Sequence, residues 1–289
     1  MNFKVIIIGD LAVDIKGFYG GLIKPSLNIL LKNLSIEPGG VAGNIAYYLR
    51  LFKDDVFVFA SVGNDSWGKL ILNNLTSLKI DIENIKIVDR FPTGFFVIII
   101  DKKGERTMIG SRGANEMLDI NEEELKRLSP DWIHVSGYSL LNHNKIEILE
   151  KVQRTAKALG INYSVDLEGV GEKDIKLNLN SAIVFCNPEN CREKSRVGAK
   201  LTLIKKGSKG CTLLDSGKKI DFKAIKVKVV DTTGAGDAFD ASFIHAYLTS
   251  KDPELSCQFA NYFAGMKVTK KGTRVKLPYN IILKKFGLS

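Results

Sequence analysis

Asp231-Thr232-Thr233-Gly234-Ala235-Gly236-Asp237-Ala238-Phe239 is the stretch of this 289-residue sequence that says most about its fold. The segment Ile225–Val230 precedes it and predicts a strand. After it, Phe239, Phe243 and Tyr247 recur at helical spacing. The glycines therefore fall on the turn that opens a predicted helix, where free N–H groups and the positive end of the helix dipole favour anions.

This turn has the composition that phosphoryl transfer requires. Glycine lets the backbone approach phosphate oxygens without a Cβ in the way. Negative charge that develops on a transferred phosphoryl group would be stabilised there. Asp237 lies in the first helical turn, where a carboxylate either caps the helix or accepts the proton of an attacking hydroxyl as a general base. The glycines around it favour the second interpretation.

Outward from this stretch, strand-like and helix-like segments alternate. The predicted strands are Lys4–Gly9, Val56–Val62, Trp132–Ser136, Tyr163–Asp166, Ile183–Cys186 and Leu201–Lys205. The predicted helices are Val41–Phe52, Trp67–Leu78, Lys145–Leu159 and two more between Gly234 and Lys270. Repeated β-then-α units predict an α/β fold, a three-layer sandwich with a mostly parallel central sheet.

Two segments interrupt this alternation. Phe95–Ile100 and Glu105–Ile109 flank a turn sequence, residues 101–104, and predict a β-hairpin. The segment from about Leu11 to Ile36 lacks helical period and favours further strands. We expect a small β-lid, formed from about 11–37 and 92–112, over the carboxyl ends of the parallel strands. No repeat or linker divides the chain, so residues 1–289 are expected to form a single domain.

Composition narrows the class of protein. The net charge of +10 favours anionic ligands. The basic residues follow no zinc-finger, RNP-type or homeodomain pattern, so nucleic acid is not an expected partner. No apolar run approaches the ~20 residues that span a bilayer, and no leader-like segment opens the sequence. A cytoplasmic protein without a membrane partner is expected.

The cysteines and histidines predict no zinc site, since their spacing matches none of the usual ligand patterns. We expect Cys186, Cys191, Cys211 and Cys257 to be reduced thiols, mostly buried. Two rival phosphate-binding motifs are also absent from the sequence. It contains no Gly-x-x-x-x-Gly-Lys-Ser/Thr, and Gly9-Asp10-Leu11 stands where a dinucleotide-binding Gly-x-Gly-x-x-Gly would follow the first strand.

With these motifs the sequence resembles the ribokinase or PfkB family of carbohydrate kinases. The resemblance runs from Val5 to about Gly272 with the motifs in family order. They are Gly9-Asp10 with Asp14, the segments 38–44 and 63–68, Pro92-Thr93-Gly94 with Gly113-Ala114-Asn115, the loop 206–210, and 231–239.

The resemblance implies a ribokinase-like fold with a β-lid. It also implies ATP with Mg²⁺ as cosubstrate and transfer of the γ-phosphoryl group to a hydroxyl of a small sugar or sugar acid. The roles that it implies are Asp237 as catalytic base; Gly234, Ala235 and Gly236 as anion hole; Asp14, Gly39, Gly40 and Asn44 for the acceptor; Asn187, Lys206, Gly207 and Gly210 for the nucleotide; and Asp231 and Thr233 for a monovalent cation such as K⁺, with Mg²⁺ carried by ATP.

Three departures from the family pattern bear on specificity. Asn190 stands where the family often has a glutamate that organises Mg²⁺, and Glu189 or Glu193 are candidates to replace it. The segment Asp240-Ala241-Ser242 replaces Asn followed by a Gly-Gly pair, which we interpret as a packing change. Val41-Ala42 stands where ribose-specific relatives tend to carry lysine, so ribose is not assumed as the acceptor.

Alternatives stay open. A nucleoside kinase would use the same chemistry, and a sugar-binding relative without catalysis would keep the fold, although the intact base and glycine turn favour an enzyme. Arg112 is either a contact for an anionic acceptor or a solvated residue at the edge of the lid. Trp132, His134 and Tyr138 are expected in the core or at strand ends. Relatives often dimerise through the lid, which implies a homodimer.

Overall fold

The computed structural model describes residues 2–21, 23, 26, 28–102, 106–170, 179–191 and 198–288. The strands are β1 (Lys4–Ile8), β2 (Ala12–Phe18), β3 (Lys32–Gly39), β4 (Asp55–Gly63), β5 (Ile85–Val88), β6 (Gly94–Ile100), β7 (Arg106–Ser111), β8 (Trp132–Val135), β9 (Asn162–Asp166), β10 (Ile183–Cys186), β11 (Leu201–Lys205), β12 (Cys211–Asp215) and β13 (Lys218–Phe222). The helices are α1 (Val41–Leu51), α2 (Ser66–Ser77), α3 (Glu122–Arg127), α4 (Lys145–Leu159), α5 (Ala235–Ser250), α6 (Pro253–Lys267) and α7 (Tyr279–Lys285).

A nine-stranded sheet forms the centre of the fold, in the order β13-β12-β11-β10-β9-β8-β1-β4-β5. The strands from β11 to β5 are parallel, and β12 and β13 add antiparallel neighbours at one edge. This topology confirms the expected mostly parallel sheet. The carboxyl ends of the parallel strands share one edge of the sheet, where α/β proteins place their binding sites.

Helices cover both faces of this sheet, because its strands are apolar on both sides. In β1, Val5 and Ile7 belong to one apolar core, whereas Ile6 and Ile8 belong to another. The first core packs against α1, α2, α5, α6 and α7, and the second against α3 and α4. Alternate residues of a strand point to opposite faces, so one short segment takes part in both cores.

A second sheet of four strands, in the order β3-β2-β6-β7, lies over the end of the first. It is built from the two segments that interrupt the alternation of strands and helices. Strands β6 and β7 form the predicted antiparallel hairpin, and turn residues 103–105 lie outside the described residues. On its outer face, Leu34, Ile36 and Ile109 are each more than half exposed.

Polar contacts from the central body hold the base of this second sheet. The side chain of Asn115 accepts a hydrogen bond from Leu11 N at 3.0 Å and donates one to Leu11 O at 2.8 Å. Asp65 caps α2 through Gly68 N and also accepts from Thr93 N, both at 2.8 Å. These glycine- and asparagine-containing motifs therefore fix where the second sheet joins the body.

Two sequence-based expectations were wrong. Residues 225–230 pair with no described strand, and Val230 N donates to Val268 O at the end of α6 instead. The start of the segment packs on α6 instead, where Ile225 lies directly against Gly265, whereas Val229 and Val230 are exposed. In addition, Cys186 and Cys191 are joined in a disulfide, because the turn after β10 brings the chain back upon itself.

The other two cysteines, Cys211 and Cys257, are free and buried. None of the helices in the described part of the chain is both long and apolar enough to cross a membrane.

Candidate active site

The glycine-rich turn opens α5, at the edge of the sheet where the parallel strands end. Gly234 precedes the helix with a φ of 73°, in the left-handed region that favours glycine. A Cβ at this position would lie 2.6 Å from Cγ2 of Thr273. The turn is therefore tightly packed on the loop after α6, and the helix begins at Ala235, whose N–H donates to Thr232 O at 3.2 Å.

Asp237, in the first turn of α5, is buried and held by a chain of hydrogen bonds. Its Oδ2 accepts from Nδ2 of Asn44 at 2.7 Å, and Oδ1 of Asn44 accepts from Nε of Arg274 at 3.0 Å. Arg274 also donates to Asn74 Oδ1 and to Gly39 O. The carboxylate consequently has a fixed orientation before any substrate binds.

The electrostatic surroundings of Asp237 suit a proton acceptor. Burial and the negative charge of Glu168 raise its pKa from the ordinary value of 3.8 to about 7, and the hydrogen bond from Asn44 partly opposes this shift. A carboxyl group with such a pKa is partly ionised at neutral pH and binds protons far more strongly than an exposed aspartate. General bases are most effective when their pKa lies near the working pH.

Two cavities meet at this turn. The smaller has a volume of about 330 Å³, and the larger one has a volume of about 730 Å³. They share the residues Lys205, Gly207, Thr232, Ala235 and Gly236. The predicted anion hole thus lies at the junction between two spaces that can each hold a ligand.

The predicted acceptor residues gather around the smaller cavity. Asp14, Gly40 and Asn44 line it, together with Asp237. Gly39 supports them, because a Cβ there would lie 2.5 Å from Cγ of Asp14. Burial raises the pKa of Asp14, although the nearby charges of Lys16 and Arg274 oppose that shift.

The predicted nucleotide residues are divided. Gly207 and Gly210 line the larger cavity, and Asn187 lines the smaller one. Lys206 lies elsewhere, since its Nζ donates to Oδ1 of Asp221 at 2.6 Å. The residue before it, Lys205, is the lysine that reaches the junction of the two cavities.

Lys205 is a functional candidate that the sequence analysis missed. Its ammonium lies 2.9 Å from Oδ2 of Asp166, 3.0 Å from Oδ2 of Asp240 and 3.9 Å from Oε2 of Glu168. Burial disfavours the charge of Lys205, but these acids raise its pKa well above the ordinary value. Lys205 therefore remains a cation beside Gly236.

The pKa values of the two buried acids next to Lys205 are shifted in opposite directions. Burial acts against ionisation of Asp166, yet the ammonium of Lys205 outweighs it and lowers the pKa of that carboxyl group. For Asp240, burial dominates and raises the pKa well above the ordinary value, although the charge of Lys205 opposes this shift. Asp240 thus contacts the buried ammonium of Lys205, and the interpretation of its segment as a packing change was incomplete.

Arg112 is not the solvated residue at the edge of the lid that one alternative from the sequence described. It pairs with both carboxylate oxygens of Asp10, at 2.7 and 2.8 Å, and also donates to Asn142. Arg106, from β7, instead lines the smaller cavity and donates to Oγ1 of Thr233 at 3.0 Å. Tyr138, expected in the core or at a strand end, lines the same cavity.

Of the residues that the sequence analysis considered for organising Mg²⁺, Asn190 has a hydrogen-bond partner within the protein. Nδ2 of Asn190 donates to Leu167 O at 2.9 Å. Glu189 is exposed, and Glu193 lies outside the described residues. Among described side chains, no group of three or more His, Cys, Asp or Glu residues could hold a metal ion.

The loop expected to hold a monovalent cation is closed by a lysine. The carbonyl oxygens of Asp231 and Thr233 both accept from Nζ of Lys267. Burial lowers the pKa of Lys267 to about 8, and the negative charge of Asp231 opposes the shift. The ammonium is therefore mostly charged at neutral pH.

Comparison with known proteins agrees with this geometry. The description "pfkB family carbohydrate kinase" matches residues 2–280. An ATP-dependent ribose-1-phosphate kinase of Halopiger xanaduensis is 29% identical, over 82% of this chain and 82% of that protein. A ribokinase of Haemophilus influenzae is 27% identical over 96% of both chains.

Solved structures show the same architecture. A ribokinase of Arabidopsis thaliana, complexed with ribose and ATP, superposes with a TM-score of 0.82 at 25% identity and covers 100% of both chains. The expected ribokinase-like fold is therefore confirmed.

Proposed function

The chain belongs to the pfkB family of carbohydrate kinases, phosphotransferases with an alcohol group as acceptor, and on this premise we propose that it transfers the γ-phosphoryl group of ATP to a hydroxyl of a small anionic sugar, with Asp237 as general base. One observation carries the proposal. The buried, oriented carboxylate of Asp237 lies directly after a glycine turn at which two ligand-sized cavities meet.

The two cavities have different characters, which supports an assignment for each. Gly207 and Gly210 bound the larger cavity with apolar residues such as Val227 and Val268, an environment that suits a nucleotide base and ribose. The smaller cavity lies beside Asp14, Asn44 and Asp237, polar groups that suit a sugar's hydroxyls. ATP in the larger cavity would direct its γ-phosphate toward the shared turn.

The reaction then needs one group that accepts the hydroxyl proton and positively charged or N–H groups that stabilise the transferred phosphoryl group. The acceptor oxygen forms a bond to the γ-phosphorus, the bond from that phosphorus to the β–γ bridging oxygen breaks, and ADP leaves with those electrons. Asp237 takes the hydroxyl proton. The N–H groups of the turn at Gly234–Gly236 and the ammonium of Lys205 stabilise the charge on the transferred group.

Mg²⁺ would enter as its complex with ATP, whose phosphate charge it neutralises. Oxygen ligands are what this ion prefers, and the side chains of Glu168 and Asn187 line the cavity beside the glycine turn. These residues fit a metal held mainly by the nucleotide.

Two basic residues at the smaller cavity, Arg106 and Lys205, offer binding partners for a carboxylate or phosphate of the acceptor, although four acids also line it. Arg106 of β7 lines this cavity, and its guanidinium suits bidentate binding of such a group. Because Arg106 also donates to Thr233, the second sheet would act as a lid that closes over the acceptor. The activity named for the relative from Halopiger xanaduensis, a ribose-1-phosphate kinase, is consistent with an anionic sugar.

The outer face of this lid supports a homodimer. Leu34, Ile36 and Ile109 expose apolar side chains on one side of a four-stranded sheet. Exposed apolar patches of this kind mark interaction surfaces, and a second copy of the chain is the occupant that we propose.

An acceptor panel tests the function. ADP release would be measured with ATP and Mg²⁺ against ribose 1-phosphate, fructose phosphates, 2-keto-3-deoxygluconate, ribose, fructose and nucleosides, with Asp237→Asn as the matched variant. We expect one anionic sugar to exceed the neutral ones, and the variant to be about 10²–10⁴-fold slower with it. A preference for nucleosides would replace the proposed substrate class. A variant within about tenfold of wild type would overturn the role of Asp237.

A further inference from the structure

Lys267 is a fully buried lysine whose charge faces backbone oxygens. It is the last residue of α6, and its Nζ lies 3.0 Å from the carbonyl oxygen of Asp231, with the carbonyl oxygen of Thr233 as a second close partner. No side-chain ion pair forms with it among the described residues. Burial of an ammonium group is costly unless polar groups replace its water, and here carbonyl groups do so.

These two carbonyl groups belong to the loop that directly precedes the anion hole. The carboxylate of Asp231 stays within the same loop, where it accepts from Thr233 N at 2.8 Å and from Gly272 N at 2.9 Å. Val268, the residue after Lys267, accepts from Asp231 N with its carbonyl oxygen. The loop at residues 231–233 is thus held against the end of α6 by two neighbouring residues, Lys267 through its side chain and Val268 through its carbonyl oxygen.

The same geometry would serve a diffusible cation. Convergent carbonyl oxygens with a nearby carboxylate are what an ion such as K⁺ requires when it leaves water. An ion could not share these oxygens with Lys267, since two positive charges would meet in one buried site. The residues present therefore do not fit the monovalent cation that the family resemblance implied for Asp231 and Thr233.

We propose that the ammonium of Lys267 is a built-in substitute for an activating monovalent cation, and that it holds the loop at residues 231–233 so that the adjoining turn at Gly234–Gly236 keeps its anion-binding shape. Lys267 is then a positioning residue, which acts on the phosphoryl group only through the backbone. The predicted effects on activity rest on the proposed kinase function. The predicted effect of cations on thermal unfolding does not depend on any acceptor.

The proposal has a consequence for the wild-type enzyme. Because the cation is covalently attached, activity should be the same when choline chloride, NaCl or KCl supplies the ionic strength. A cationic site that had to be filled from solution would instead give saturable activation by K⁺. We expect the wild type to vary by less than about twofold among these salts, since only nonspecific ionic-strength effects remain.

Removal of the side chain should convert the protein into one that needs a diffusible cation. In choline chloride, Lys267→Ala should lose at least about tenfold in kcat, as expected when transition-state electrostatics are disturbed. KCl, NH₄Cl or methylammonium chloride should then restore a large part of the loss. Lys267→Met, which keeps the apolar stem, should show the same rescue by the smaller ions. The control is Lys271→Ala, which removes an exposed lysine from the loop that follows α6. This variant should respond to the salts as the wild type does.

Thermal unfolding provides a readout that requires no substrate. KCl should raise the Tm of Lys267→Ala relative to choline chloride at equal ionic strength, because the ion binds only the folded state, whereas the wild type and Lys271→Ala should show no difference. This measurement remains informative even if the acceptor panel fails.

Two results would overturn the inference. One is a severalfold, saturable activation of the wild type by K⁺, which would mean that a cation binds elsewhere or displaces Lys267. The other is a folded Lys267→Ala or Lys267→Met variant whose activity and Tm respond to no cation. That result would reduce Lys267 to a structural lysine.

Discussion

Asn44 donates a hydrogen bond of 2.7 Å to Asp237 across 193 positions of the sequence. The amide can donate in this direction only because its oxygen accepts from Arg274. A guanidinium group from the loop after α6 therefore sets, through one amide, the direction of the proposed base.

The first prediction concerns this amide. Asn44→Ala should lower kcat about 10- to 100-fold, because a base that is free to rotate loses part of the advantage of orientation. It should also raise the pKa of Asp237 further, since the hydrogen bond from Asn44 favours the ionised form. The pH at half-maximal kcat/KM would report this. Asn74→Ala, which removes a different partner of Arg274, should leave that pH unchanged.

The pH dependence of the wild type follows from the pKa of about 7 for Asp237. A base must be deprotonated to act, so kcat/KM should fall about tenfold per pH unit below that value and level off above it. Rate measurements between pH 5 and 9 would check this. A profile that is flat down to pH 5 would contradict the assignment.

Stability should change in the opposite direction with pH. The folded state raises the pKa of Asp237 above that of the unfolded chain, so stability is lost as pH rises from the ordinary value of 3.8 through about 7. Asp237→Asn removes this titration and keeps the acceptor for Asn44. Its Tm should exceed that of wild type at pH 8, and the difference should shrink steadily as the pH falls toward 3.8. A lower Tm at pH 8 would show that burial of the charge is compensated elsewhere.

Replacement by asparagine should change the free energy of unfolding more at Asp166 than at Asp240. Asp166→Asn leaves the ammonium of Lys205 without its ionised partner, and such losses in buried pairs cost about 3–5 kcal/mol. Burial raises the pKa of Asp240 and so disfavours its charge, and Asp240→Asn should therefore lower the free energy of unfolding by less than Asp166→Asn does. Urea unfolding of both variants would decide this. Equal destabilisation would mean that both acids are ionised.

The lid surface gives a prediction about assembly. Ile36→Lys or Ile109→Lys should convert the proposed dimer into a monomer in light scattering, because a charge would be buried at the interface. Ile87→Lys serves as the control, since Ile87 is similarly exposed at 55% but lies on the nine-stranded sheet. A wild type that is monomeric at micromolar concentration would contradict the proposal.

The fold was largely predictable because its signals are local. The apolar runs at β1 and β4 and the helical spacing at α1 and α4 have single interpretations, and the structure contains all four elements. Residues 225–230 had the same alternation but no strand to pair with. Pairing depends on the sheet's edge, which a local pattern does not reveal.

The candidate site was less predictable where distant residues meet. Asp237 and the glycines at 234 and 236 are close together in the sequence, so their proximity in the site could be predicted from the sequence. Arg274 and Lys267 act through contacts with Asn44 and with a backbone loop, and nothing in their sequence surroundings indicates those partners. Lys205 carried one usable signal, because a lysine at the carboxyl end of a buried parallel strand faces the edge where ligands bind.

The chain of hydrogen bonds from Arg274 through Asn44 to Asp237 also orders events during synthesis. A ribosome that has made the glycine turn has still to produce residue 274, and until that residue leaves the exit tunnel the carboxylate has no fixed direction. A nascent chain can therefore form the turn that we propose for phosphate binding before the proposed base has its orientation. On this proposal, the base is oriented only after the loop that follows α6 has folded back onto α1, a helix whose Asn44 was made 230 residues earlier.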